Sequence, residues 1–110
     1  MTSTSKFWGR VQEDVRSVSE RARREAERAV RTGVLRVDLV SLRRGRNRAN
    51  ADLGARVLAL WSEEKIGDLT QDPEALRLKT LVQSIEEVMT AKEEELRAIR
   101  SRGSDEARTQ

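Results

Sequence analysis

Between Val34 and Ile66 apolar residues return every three or four positions. Leu35, Leu39, Leu42, Ala49, Leu53, Val57 and Leu60 share one helical face, on which Arg46 is the only charged intruder. A second strip, Val34, Val37, Ala51, Gly54, Leu58 and Trp61, widens the apolar arc to that of a bundle helix. After Pro73 the same spacing returns at Leu78, Val82, Ile85, Met89, Lys92, Leu96 and Ile99, flanked by Leu81 and Val88. The pattern predicts two helices.

The segment Ile66 to Glu74 separates them with a helix stop followed by a helix start. Gly67 suits the left-handed position that ends a helix. Asp72 suits the N-cap, Pro73 the first helical position, and Glu74 the anion-favouring first turn. A turn over 67–72 makes the helices antiparallel. Folding about residue 69 sets position i opposite roughly 138 minus i. Leu60 then meets Leu78, Leu53 meets Ile85, and Ala49 meets Met89. The basic run Arg43, Arg44, Arg46 and Arg48 would lie beside Lys92, Glu93, Glu94 and Glu95, an arrangement that disfavours a slipped register.

A third stripe opens the chain: Trp8, Val11, Val15, Val18, Ala22, Ala26 and Ala29, spaced as a near-heptad seam. With the return helix ending near Arg100, residues 6–32 have no partner within the hairpin. The expected organisation is a disordered N-terminus over 1–5, an amphipathic arm over 6–32, a hairpin over 33–100 and a flexible tail over 101–110. The fold class is all-α, a long, coiled-coil-like antiparallel helical hairpin. Gly33 leaves open whether the arm extends the first helix or folds back into a three-helix bundle.

An amphipathic helix in water covers its apolar face. The candidate partner-binding residues are Phe7, Trp8, Val11, Val15, Val18 and Ala22. Four covers are open: the chain's own hairpin, a second copy, a groove on another helical protein, or a lipid interface with Lys6, Arg10 and Arg16 near anionic headgroups. Packing within the chain would let Phe7 and Trp8 plug the end of a bundle.

Charge narrows the alternatives. The 110 residues carry 22 Lys and Arg against 19 Asp and Glu, a net of +3. Residues 1–60 hold 14 basic and 7 acidic residues, and residues 61–110 hold 8 and 12. Arg10, Arg16, Arg21, Arg24, Arg28 and Arg31 are the candidate anion contacts. Glu20, Glu25 and Glu27 interleave them, with Arg21–Glu25 and Arg24–Glu27 at intrahelical spacing. That describes a solvated, ion-paired face, and it leaves nucleic acid only a non-specific partner.

The chain contains no His, Cys or Tyr, which excludes Cys/His zinc sites, thiol nucleophiles and Ser-His-Asp triads. Adjacent glutamates at 63–64 and 93–95 point apart on polar faces and form no desolvated acid–base pair. No cofactor, metal or catalysis is expected. The longest apolar run, Val57 to Trp61, is far short of a membrane span, and Met1 to Lys6 lacks a signal-peptide core. A cytoplasmic protein, soluble or surface-bound, is the expectation. Trp61 is expected to cover the core's end, Met89 to fill a gap within it, and Arg46 to send its head toward Glu93 or Glu94. Together these features predict a non-catalytic assembly or adaptor protein that binds copies of itself or docks onto a larger complex. A peripheral binder of anionic surfaces, lipid or nucleic acid, is the rival.

Overall fold

The computed structural model describes residues 2–108. Helix α1 spans Thr2–Ser62, a short 3-10 helix spans Ile66–Gln71, and helix α2 spans Pro73–Arg108. At 1.5 Å per residue α1 alone is about 90 Å long, and the molecule measures 94 × 18 × 17 Å. It is an all-helical hairpin with one arm much longer than the other.

Gly33 neither hinges nor turns. It lies inside α1 with no positive φ, and no atom would approach a Cβ there within 4 Å. The arm therefore extends the first helix and does not fold back. A disordered 1–5 was expected; residues 2–5 belong to α1, and Met1 lies outside the described residues. At the other end, α2 runs through Gly103 to Arg108, so the periodicity lost after Arg100 does not stop the helix. A single glycine costs a helix roughly 1 kcal/mol, which the turns on either side absorb.

The turn differs from the expected one in a specific way. Helix α1 stops at Ser62, and Glu64, at φ 60°, takes the left-handed position assigned to Gly67. The N–H of Glu64 donates to the Trp61 carbonyl at 3.1 Å, and that of Lys65 donates to the Leu60 carbonyl at 2.7 Å. This pair of bonds is the Schellman closure, which satisfies carbonyls left over at a helix end. Gly67 falls within the 3-10 helix instead. The start of α2 follows the expectation: Asp72 Oδ2 accepts the Ala75 N–H at 2.9 Å, and Pro73 opens the helix.

The core is a single seam. Leu35, Leu39, Ala49 and Leu60 from α1 are buried against Ala75, Leu78 and Met89 from α2. Leu42, Arg46, Leu53 and Val57 are half-buried between them, as are Val82, Ile85, Lys92, Leu96 and Ile99. The first stripe of each helix is thus the one that packs. The register, however, is shifted from the expected one. A Cβ on Gly45 would touch Ile85 Cδ1 at 3.7 Å, and Lys92 Nζ reaches Asp38 Oδ2 at 3.0 Å. Residue i lies level with about 130 minus i, two turns of helix from 138 minus i. The early stop at Ser62 moves the hairpin's axis, and the 3-10 helix already packs along α1. The basic run 43–48 consequently forms no ion pair with Glu93, Glu94 or Glu95 among the described residues.

Candidate docking surface

The register shift and the longer α2 carry the return helix farther along α1 than expected. Arg28 binds Glu106 with both guanidinium nitrogens, Nη1 at 2.6 Å from Oε2. Arg31 holds Glu95 at 2.7 and 2.9 Å. These arginines, expected among the anion contacts, instead tie α2 to α1. Their guanidinium groups hold the Glu106 and Glu95 carboxyls below the usual carboxylate range, chiefly by hydrogen bonding. Arg21 and Arg24 line an open notch with Arg28, Gly103, Glu106 and Ala107, and their charge further lowers the Glu106 carboxyl. The expected Arg21–Glu25 and Arg24–Glu27 contacts are replaced by Arg23–Glu27 at 3.8 Å. Arg10 and Arg16 are exposed, well beyond the reach of α2.

The uncovered part of the arm is therefore shorter than residues 6–32, ending near residue 20. Within it Phe7, Trp8, Val15 and Val18 stand in solvent, Trp8 at 59% of its full exposure, and Val11 is half-buried. Ala22 is exposed as well. Phe7 and Trp8 do not plug a bundle; they pack edge to face on each other, with centroids 5.9 Å apart. Residues 1–20 carry three basic side chains, Lys6, Arg10 and Arg16, against Glu13, Asp14 and Glu20. The basic excess of the first 60 residues arises entirely after residue 20. The exposed aromatic end is electrically balanced.

Farther along, Val30, Val34, Val37, Val40, Leu58 and Trp61 are also exposed. Trp61, at 68%, does not cover the core's end. A helix turns 100° per residue, so the positions facing α2 (Arg28, Leu35, Leu39, Leu42, Leu53, Leu60) cluster around one direction. The arm stripe and the second strip, Val34 apart, both cluster about 150° away from it. They form one line on the outer side of α1: Trp8, Val11, Val15, Val18, Ala22, Ala26, Ala29, Gly33, Val37, Val40, Arg44, Asn47, Ala51, Gly54, Leu58 and Trp61. Each step is three or four residues and the mean is about 3.5, the spacing of a coiled-coil seam. A shallow apolar depression at Val37 and Val40 lies on this line, and another at Ala26, Val30 and Val34 lies on its flank. Sequence reasoning described both halves and missed that they share a phase; continuing the three-four count through Gly33 finds it.

Asp72 is the most constrained ionisable group. It is 8% exposed, takes Arg56 Nη2 at 2.7 Å and Nε at 3.0 Å, and caps Ala75. The Arg56 hydrogen bonds and the Ala75 N–H lower its pKa to about 2 against the opposing effect of burial. This group closes the hairpin and lies on the inner side, remote from the open seam. Among the described residues no three His, Cys, Asp or Glu side chains are placed to hold a metal ion, and no helix is long and apolar enough to cross a membrane. No family model, curated protein or solved structure matches the chain.

Proposed function

We propose that this chain is a non-catalytic assembly protein: a helical rod that associates with copies of itself or docks on another helical protein by coiled-coil-type packing. One observation carries the reading. The outer side of α1 presents a continuous three-four seam, apolar except at Arg44 and Asn47, while α2 stiffens the rod from the opposite side. Exposed apolar strips of this extent mark protein–protein or membrane contacts. The charge balance over residues 1–20 favours a protein partner over an anionic lipid or nucleic-acid surface, because polyanion binding draws its affinity from unpaired Lys and Arg. The residues assigned to binding are Phe7, Trp8, Val11, Val15, Val18 and Ala22, together with their continuation along the seam.

Light scattering of the full chain at 0.15 and 0.5 M salt, beside the Trp8→Ala/Val15→Asp variant, tests this. Hydrophobic assembly persists at the higher salt, and the variant becomes a single chain with its helicity retained. A chain that stays single, and that binds anionic vesicles only at low salt, would overturn the reading in favour of a surface binder.

A further inference from the structure

The outer seam has an internal symmetry that names its occupant. Turned end for end about a point between Val34 and Leu35, it lands on itself. Residue i then meets 69 minus i, an alignment good to about one residue. Trp8 falls on Trp61, Val11 on Leu58, Val15 on Gly54, Val18 on Ala51 and Ala29 on Val40. At the ends bulky residues meet, Trp8 with Trp61 and Val11 with Leu58. Further in, bulky oppose small, Val15 with Gly54, Val18 with Ala51 and Val40 with Ala29, which is the condition for interdigitated packing there. Of the seam's polar members, Asn47 opposes the small Ala22, and Arg44 comes level with Glu25. Like charges also come level, Arg21 with Arg48 and Arg23 with Arg46, but Arg46 is half-buried on the side facing α2 and Arg23 has Glu27 as its own partner.

From this we infer that α1 pairs through its outer face with a second copy of the chain, antiparallel and two-fold symmetric. This deepens the assembly reading above and rests on it. A parallel pair in register would set Arg44 against Arg44 and Gly54 against Gly54, giving a like-charge contact and a void. The antiparallel pair removes both. The seam from Trp8 to Trp61 is about 80 Å long, and at a helix-wide contact of about 10 Å it offers about 800 Å² per protomer. Stable interfaces need about that much. Because α2 lies on the opposite side, nothing in the fold obstructs the approach, and the assembly is a flat array of four helices with the two α1 rods at its centre.

The absence of native cysteine makes the register directly testable. Val11 and Leu58 are about 70 Å apart within one chain, too far for an intramolecular disulfide. Under mild oxidation the full-length Val11→Cys/Leu58→Cys variant gives a covalent dimer, whereas Val11→Cys alone gives none. Leu58 is exposed and Val11 half-buried, neither lies in the seam with α2, and circular dichroism checks that the helices persist. Light scattering gives twice the chain mass. Diluting the unmodified protein through its dissociation range shifts the emission of Trp8 and Trp61 to longer wavelength as both enter water. A dimer that cross-links through Val11→Cys alone overturns the antiparallel pairing and leaves the assembly reading intact. A single chain at every concentration up to about 100 µM, with constant tryptophan emission, overturns the pairing and the self-association arm of that reading together.

Discussion

Arg56 and Asp72 clasp the hairpin where its two helices meet, with Nη2–Oδ1 at 2.7 Å and Nε–Oδ2 at 3.0 Å. The same carboxylate caps α2 through the Ala75 N–H. Its pKa is lowered to about 2, whereas an unfolded Asp titrates near 3.9. A group whose folded pKa is depressed stabilises the fold above its unfolded pKa and loses that contribution as pH falls toward the folded one. Thermal stability should therefore be level near neutrality and fall steeply between about pH 4 and pH 2. Asp72→Asn removes part of that slope while retaining an N-cap oxygen. Asp72→Ala removes the cap as well and melts several degrees below Asp72→Asn at pH 7. Circular dichroism melts across pH check both, and equal melting of the two variants would show that the cap contributes nothing.

Glu64 occupies a left-handed conformation at φ 60° that costs an L-residue about 1–2 kcal/mol. Glycine takes the same conformation without that penalty, although it loses more backbone freedom on folding. The balance predicts that Glu64→Gly raises stability by up to about 1 kcal/mol in urea titration. Gly67→Ala should be tolerated, because Gly67 has no positive φ and nothing within 4 Å of a Cβ. If Gly67→Ala proves the more damaging change, the turn ends at Gly67 after all.

The contrast between Glu64 and Gly67 also shows what was legible in the sequence. Which residues pack, Leu35 through Leu60 against Leu78 through Ile99, follows from three-four periodicity, because helical side-chain direction is set locally. The start of α2 was equally plain, since Asp72 and Pro73 act within one turn of themselves. Register was not legible. It depends on where α1 stops, and a Schellman closure tolerates Glu64 at a modest cost, so the glycine was a misleading marker. Arg28 and Arg31 were misassigned for the same reason: two turns of slippage decide whether an arginine meets solvent or Glu106 and Glu95. Among the candidate residues, the apolar stripe of the arm followed from spacing alone, and the exposure of Trp61 did not. Its fate depended on which of two apolar strips α2 would choose.

That choice gives a direct contrast in energetics. Leu35 and Leu78 are almost wholly buried, at 0% and 2% exposure, so truncation to Ala removes contacts that the thin core cannot replace. Each of Leu35→Ala and Leu78→Ala should cost about 2–5 kcal/mol of hairpin stability. Leu58, on the outer seam, makes no such contact in the single chain. Leu58→Ala should change the stability of the dilute protein by less than about 0.5 kcal/mol while weakening its association. Urea melts at two protein concentrations separate the two effects, and a large loss for Leu58→Ala in dilute solution would mean that the outer strip packs within the chain.

Gly54 offers the sharpest separation of hairpin from assembly. No atom lies within 4 Å of a Cβ built there, so the hairpin gains nothing from its absence of a side chain. In an isolated helix Gly54→Ala should stabilise by about 1 kcal/mol, and Gly54→Leu by a similar amount. In the antiparallel pair the position faces Val15 of the other copy, and overpacking a seam there costs about 1–3 kcal/mol, incurred at both symmetric contacts. Gly54→Leu should thus raise the melting temperature of the dilute chain and lower the affinity of the dimer. Adding Val15→Ala on the same chain reopens space opposite the leucine and should restore most of the affinity. Because Val15 and Gly54 are about 60 Å apart within one rod, no intramolecular contact can produce that recovery, and a cycle in which the two substitutions simply add would refute the pairing of these two positions.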